Sequence, residues 1–376
     1  MKKIKFILLF TVVGFLLVSV LIFPSSCAKG VNQGLLFSSE ILIPSLFPFM
    51  FLSAFIVESG LSARIGKFLN RTTKFLFNLP GSTAATILIS FIGGYPTGAR
   101  GVKSLLERKE ITLAEANQML CFAVGAGPAF IISVVGSGLL GSNKTGLVLF
   151  IAQVVASLTI GIALGQYKRI FSVSSKTPHR KYALKPPSVS NALVHSCIDS
   201  TYGMINMCAF VVLFSALLMI INDSGVHKWF INLLILCHVP ENIAASILPI
   251  LLEVTGGCSN AARLSNSAEL ISFALGWAGA CVHFQICASL EDISFSRVKF
   301  TLYRFMNGVL SAAFTHLGLL IFPQVQSTAV DLSCFNSGVL FYSSNAIASF
   351  ALLVLCAFFL YSMPGWYSKH SDVTFS

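Results

Sequence analysis

Two short runs of this sequence hold the residues best suited to chemistry. Gly93-Gly94-Tyr95-Pro96-Thr97-Gly98-Ala99-Arg100 and Thr255-Gly256-Gly257-Cys258-Ser259-Asn260-Ala261-Ala262-Arg263 each combine paired glycines, hydroxyl or amide side chains and a closing arginine. Each follows an apolar stretch, Thr83–Ile92 or Ala244–Leu252, too short to cross a bilayer, which takes about 20 helical residues. An apolar half-helix, a glycine tip and a second half-helix make a re-entrant hairpin, which survives at membrane depth only where it is buried in protein or lines a cavity. Glycine lets the backbone approach a ligand, and the half-helix that follows offers unpaired N–H groups and the positive end of its dipole. The chemistry is therefore recognition of a small anion rather than bond making. We expect a substrate site built from Gly94, Tyr95, Thr97, Gly98 and Arg100 of the first tip and Gly257, Ser259, Asn260 and Arg263 of the second. The alternative for the two arginines is a snorkelling position or a pair with an acid such as Glu253.

Three carboxylates at membrane depth, Glu253, Asp199 and Glu40, are candidates for a proton relay or a coupling-ion site; the alternative is a salt bridge to Arg100, Arg263 or Arg304. Gly125-Ala126-Gly127-Pro128 and Gly276-Trp277-Ala278-Gly279 break the helices after each tip, and serve either the site or close helix packing. Pro44-Ser45-Leu46-Phe47-Pro48-Phe49 kinks a helix of the first half. His195, His283 and His316 stand alone in apolar surroundings and receive no role. The ten cysteines form no CxxC pair and no histidine lies at ligand spacing, so no metal, cofactor or disulfide framework is expected. No P-loop, nucleophile motif or HExxH is present, which argues against an enzyme.

These residues must be positioned by a membrane bundle. The chain has 376 residues, 55% hydrophobic and only 10% charged, and a mean hydropathy of +0.81. A water-soluble surface needs more charge than that. The net charge of +11 does not indicate nucleic acid, because the basic residues flank apolar spans and do not line one face. Eight crossings are expected: Phe6–Phe23, Gly34–Ile56, Leu113–Leu140, Gly146–Leu164, Ala192–Ile221, Leu270–Leu290, Phe300–Phe322 and Ala346–Leu360. The first could be mistaken for an export signal, but its apolar run is long and it reads as an uncleaved helix. With the N-terminus inside, 19 of the 25 basic residues fall in cytoplasmic segments, an asymmetry that orients the chain with both termini cytoplasmic.

The tips also repeat. Placing Arg100 on Arg263, a shift of 163 residues (263 − 100), superposes Gly93 and Gly94 on Gly256 and Gly257. Glu58-Ser59-Gly60 echoes Asp223-Ser224-Gly225, and Phe122-Ala123-Val124-Gly125 echoes Phe273-Ala274-Leu275-Gly276. The expected class is an all-α membrane protein, an inverted-repeat bundle with a re-entrant hairpin in each half. Its parts are a first helix (1–29), a first repeat (30–167, hairpin 82–109), a basic linker (168–190), a second repeat (191–322, hairpin 240–267) and a last loop, helix and tail (323–376). Leu61–Phe77 and Val226–Leu236 are expected to be interfacial amphipathic segments.

Through Pro44–Phe49, Gly94–Arg100, Gly125–Pro128 and Glu253-Val254-Thr255-Gly256-Gly257-Cys258, the chain resembles the sporulation integral membrane proteins of the YlbJ (SpoVV) type, within the nucleoside-recognition or Gate superfamily. The resemblance covers nearly the whole chain and implies a role in endospore formation. It implies a place in the membrane that the mother cell lays around the forespore, and dipicolinic acid as the solute moved toward the forespore. Dipicolinate is an aromatic dianion whose carboxylates suit two arginines. Two alternatives stay open: an ion-coupled transporter of a nucleoside or other small solute using Glu253, and a sporulation membrane scaffold without flux. A homo-oligomeric assembly is also left open.

Overall fold

The computed structural model describes residues 2–171, 188–264, 267–291 and 293–322. Its frame is a pair of long apolar rods. Helices α2 (Pro24–Phe37) and α3 (Ile43–Glu58) join through a wider π-type turn at Ser38–Leu42 into one rod of 35 residues, Pro24–Glu58. Pro44 has no N–H to offer the carbonyl four residues back, so the ladder widens there, and Ser45 Oγ donates to the carbonyl of Ile41 at 2.5 Å. The second rod, α9 (Val189–Asp223), also has 35 residues. The two run antiparallel in close contact. A Cβ on Gly30 would lie 2.5 Å from Ala216 Cα, and one on Gly34 would lie 2.7 Å from Val212 Cα. Small residues give such backbone approach in lipid, where the hydrophobic effect does not hold helices together. Ser26 bonds the carboxylate of Asp223 at one end of the pair. Two equivalent helices pointing in opposite directions are what an inverted repeat requires.

Both rods end the same way. Gly60 (φ 76°) follows Glu58-Ser59 and Gly225 (φ 79°) follows Asp223-Ser224, left-handed residues that stop a helix at little cost. The chain then enters α4 (Leu61–Phe77) and α10 (Val226–Leu236), the two amphipathic segments expected from the sequence. Phe68, 87% exposed, and Leu236, 77% exposed, show an apolar face open to lipid.

Each half continues with a hairpin and a broken helix. In the first, α5 (Thr83–Gly93) turns into α6 (Tyr95–Glu107), then α7 (Leu113–Leu120) gives way at residues 121–128 to a π-type segment, Ala129–Leu139. In the second, α11 (Glu241–Leu252) turns into α12 (Val254–Ala261), then α13 (Ala268–Trp277) and α14 (Gly279–Ser289) break at Ala278 and Gly279, both left-handed. Helices α8 (Asn143–Phe171) and α15 (Arg297–Ile321) close the halves. The all-helical class is as the sequence indicated. Among the described residues four helical runs are long and apolar enough to cross a membrane, two of them the rods.

Two boundaries differ from expectation. The first helix, α1 (Lys2–Ile22), is followed almost at once by α2, so the run expected to start at Gly34 begins at Pro24. Residues 168–171 of the expected linker continue α8, and Arg169 there bonds the carbonyls of Lys74 and Phe75 at 2.7 and 2.8 Å, tying the helix end to α4. The expected crossing Ala346–Leu360 lies outside the described residues.

Candidate functional site

The two hairpin turns come together. Gly94 and Tyr95 of the first, and Glu253, Val254 and Thr255 of the second, line one pocket with about 450 Å³ of empty space. Leu42 and Leu46 on the first rod and Met207 and Val211 on the second form its apolar walls, each near the middle of its rod. Ala126, Gly127, Cys281 and Gln285 add the two broken helices. Its lining is mostly apolar with a few polar groups, the composition of a small-molecule site.

The first turn is made by Gly94, at φ 83° and ψ −177°, a conformation open only to glycine. It starts α6 with no side-chain cap, so the positive end of that helix faces the pocket. Gly127 packs against the same turn, where a Cβ would come 3.0 Å from the carbonyl oxygen of Ile92. Tyr95, 4% exposed, donates its hydroxyl to the carbonyl of Leu275 at 2.6 Å, linking the first tip to the broken helix of the second half.

The second turn falls at Glu253 and not at Gly256-Gly257, which corrects the expected superposition by one helical turn. Gly94 corresponds to Glu253, a shift of 159 (253 − 94), so Gly98 corresponds to Gly257. Both glycines serve close packing: a Cβ on Gly98 would clash with the carbonyl of Ala123 in the broken segment and meet Ser90 of the other arm at 3.0 Å, and one on Gly257 would meet Ile250 Cα of its own arm pair at 2.7 Å. The turn itself needs no glycine because the Glu253 carboxylate caps α12, accepting from Thr255 N at 2.8 Å and Gly256 N at 2.6 Å. Glu253 is 3% exposed, so a carboxylate at the pocket wall is already held by its own helix.

The remaining candidate residues do not share this pocket. Thr97 and Arg100 line a second cleft of about 510 Å³, with Arg100 paired to Asp199 and Glu58 paired to Arg108 at 3.1 Å. Arg263 follows the end of α12 and is exposed, so the two arginines do not meet. Asn260 donates to the carbonyl of Gly256 at 2.9 Å, within its own helix. Neither Ser259 nor Asn260 lines either cavity, and Glu40 is exposed on the first rod. Of the alternatives for the arginines, an acid pair holds for Arg100, with Asp199 in place of Glu253.

Two residues were not singled out for a role from the sequence. Gln285, 3% exposed, faces the pocket with Oε1 unpartnered among the described residues. Arg304 is fully buried, and its Nε and Nη2 donate to the carbonyl of Gly276 at 3.0 and 2.5 Å. With Tyr95 on Leu275 and the N–H of Ala278 on Ala274, the carbonyls of Ala274, Leu275 and Gly276 at the end of α13 are occupied. The repeat could have flagged Arg304: the shift that places Gly125 on Gly276 (276 − 125 = 151) places Gln153 on Arg304 (304 − 153 = 151), and Gln153 Nε2 lies against Gly125.

Residues 40–143 match the family described as Gate: Nucleoside recognition. The sporulation integral membrane protein YlbJ of Bacillus subtilis (strain 168) is 25% identical over 343 residues, covering 84% of this chain and 83% of that protein. Among solved structures, a doubly substituted CNTnw in an outward-facing state superposes with a TM-score of 0.47 and 16% identity over 84% of this chain and 85% of that one. CNTnw in an inward-facing substrate-bound state gives 0.46 and 16% over the same shares. The chain is therefore similar over residues 40–143 to the Gate family, and along most of its length to a sporulation membrane protein. It is an integral membrane protein with several apolar helices.

Proposed function

We propose that this chain is a transporter of endospore formation that moves dipicolinate from the mother cell toward the forespore by alternating access. Its place is the outer forespore membrane, with both termini in the mother-cell cytoplasm. The observation that carries the reading is the meeting of two hairpin turns, one from each antiparallel half, at one pocket midway along the paired rods. Such a pocket lies where inverted-repeat transporters hold their solute, and rocking one half against the other exposes it to either side. The open N-terminus of α6 supplies a positive end for one carboxylate, and the apolar walls suit a pyridine ring. The sporulation relative supports the setting, and the family resemblance supplies the solute.

A second reading is favoured by one observation. The buried polar side chains at the pocket wall that bear free or shared acceptors are Glu253 and Gln285, which suit the hydroxyl and N–H donors of a nucleoside. Purified full-length chain in proteoliposomes separates the two. Saturable uptake of labelled dipicolinate, undiminished by excess uridine, is the expected result. Uptake of uridine that dipicolinate does not compete overturns it, and specific partner binding with no flux of either solute leaves the scaffold.

A further inference from the structure

The central pocket leaves the cleft around Arg100 unexplained. Its walls are two helical stripes facing each other. Thr97, Arg100, Gly101 and Ser104 recur at i, i+3, i+4 and i+7 along α6, and Met50, Ser53, Ala54 and Val57 recur in the same way along α3. Small and hydroxylated side chains on both faces leave a cleft between the first hairpin and the first rod. Arg100 is the cation of that space whose partner is most open to exchange. Glu58 and Arg108 engage each other at 3.1 Å with both side chains about one-third exposed or less, whereas the Asp199 carboxylate is 57% exposed.

The guanidinium is held by more than its ion pair. Arg100 Nη2 also donates to the main-chain carbonyl of Asp199 at 2.6 Å, and Nη1 lies over Gly203, where a Cβ would push the guanidinium aside. Arg100 therefore keeps its place when the Asp199 side chain swings away. A carboxylate presented from the cleft can take the vacated side of the guanidinium without any rebuilding of the backbone. Asp199 behaves as a tethered competitor that neutralises the cation while the cleft is empty.

We propose that Arg100 and the polar stripe of α6 form a second binding station, separate from the central pocket, that takes the carboxylate of a small organic acid in exchange for Asp199. The station rests on the reading of this chain as a carrier of an organic anion and adds where that anion is selected. By the charge asymmetry of the sequence the cleft lies on the cytoplasmic side, since Asp199 is near the cytoplasmic start of α9 and Glu58 ends the first rod.

The test compares Asp199→Asn with Arg100→Gln in the full chain, reading dipicolinate uptake in proteoliposomes and dipicolinate or benzoate binding in detergent. An ion pair of structural value alone predicts the same sign for both, because either change breaks it. The station predicts opposite signs. Asp199→Asn tightens binding about two- to fivefold, the strength of an exposed ion pair. Arg100→Gln weakens it by about tenfold or more, the strength of hydrogen bonds to a charged group. Arg100→Lys, which keeps charge without the planar fork, falls between them and covers the case in which Arg100→Gln does not fold. Loss of affinity in Asp199→Asn, or equal affinities in all variants, overturns the station even if dipicolinate flux is normal. Opposite signs in binding without flux in the parent protein uphold the station and overturn only the transport reading.

Discussion

The two hairpin turns solve one problem in different ways. A membrane half-helix must stop, reverse and begin again with its backbone groups satisfied. The first hairpin does this with Gly94, whose backbone takes a shape closed to other residues, and leaves the start of α6 without a side-chain cap. The second uses an extended Glu253 (φ −147°), whose carboxylate fills the start of α12 with two hydrogen bonds. One positive helix end at the pocket is thus available to a solute and the other is occupied from within. Folds related by inversion need not be electrically symmetric, and here only one of the two positive helix ends stands open at the pocket. Where the second half stabilises its own turn, the first has to be steadied from outside, by Gly127 against the turn and by Tyr95 on Leu275.

The largest effect is expected where the two halves agree. Gly98→Val puts side-chain atoms where an ideal Cβ already lies 2.0 Å from the carbonyl oxygen of Ala123, with backbone on that side and no room to shift. Loss of a monodisperse peak on size exclusion in detergent is the expected outcome, and normal yield would show that α6 does not pack tightly on the Ala123 segment. Where the halves differ, Glu253→Ala removes the cap from α12 and leaves two amides without their partner, costing about 2 kcal/mol in thermal unfolding. Glu253→Asp, a favoured cap, should recover most of that loss. Equal losses in Ala and Asp would mean that the carboxylate is not there as a cap, and the contrast between the turns would fail.

Much of the frame could be read before any coordinates. Repeated acid-Ser-Gly stops delimited α4 and α10 to the residue, because a left-handed glycine after a polar helix end leaves little choice of boundary. The first turn was equally legible, since paired glycines before Tyr95-Pro96 admit few structures. The second was misplaced by one turn because Gly256-Gly257 looks like a tip, yet glycine serves two purposes in a hairpin, reversal and close arm packing. Sequence spacing alone does not separate them. The arginines were legible as charges beside the two tips, but not their distance from each other. Arg100 lies 140° around α6 from Tyr95 at 100° per residue, so the tip and the cation face different cavities. Arg263 lies past the end of a half-helix of only eight residues.

The smallest expected effect probes the bond that crosses between halves. Tyr95→Phe keeps the ring in the pocket wall and removes one hydrogen bond, leaving the Leu275 carbonyl unpaired beside the Gly276 carbonyl that Arg304 holds. The cost is about 1 kcal/mol, seen as a modest fall in melting temperature in detergent. Because the tyrosine is a tie between the repeats, its loss should also be nearly additive with Glu253→Ala, which acts within one hairpin. Strong coupling between the two would mean that the turns stabilise each other across the pocket, and that the first turn is not steadied independently of the second. An unchanged melting temperature with weakened solute binding would instead place the hydroxyl on the solute, and the first turn would then rest on Gly127 alone.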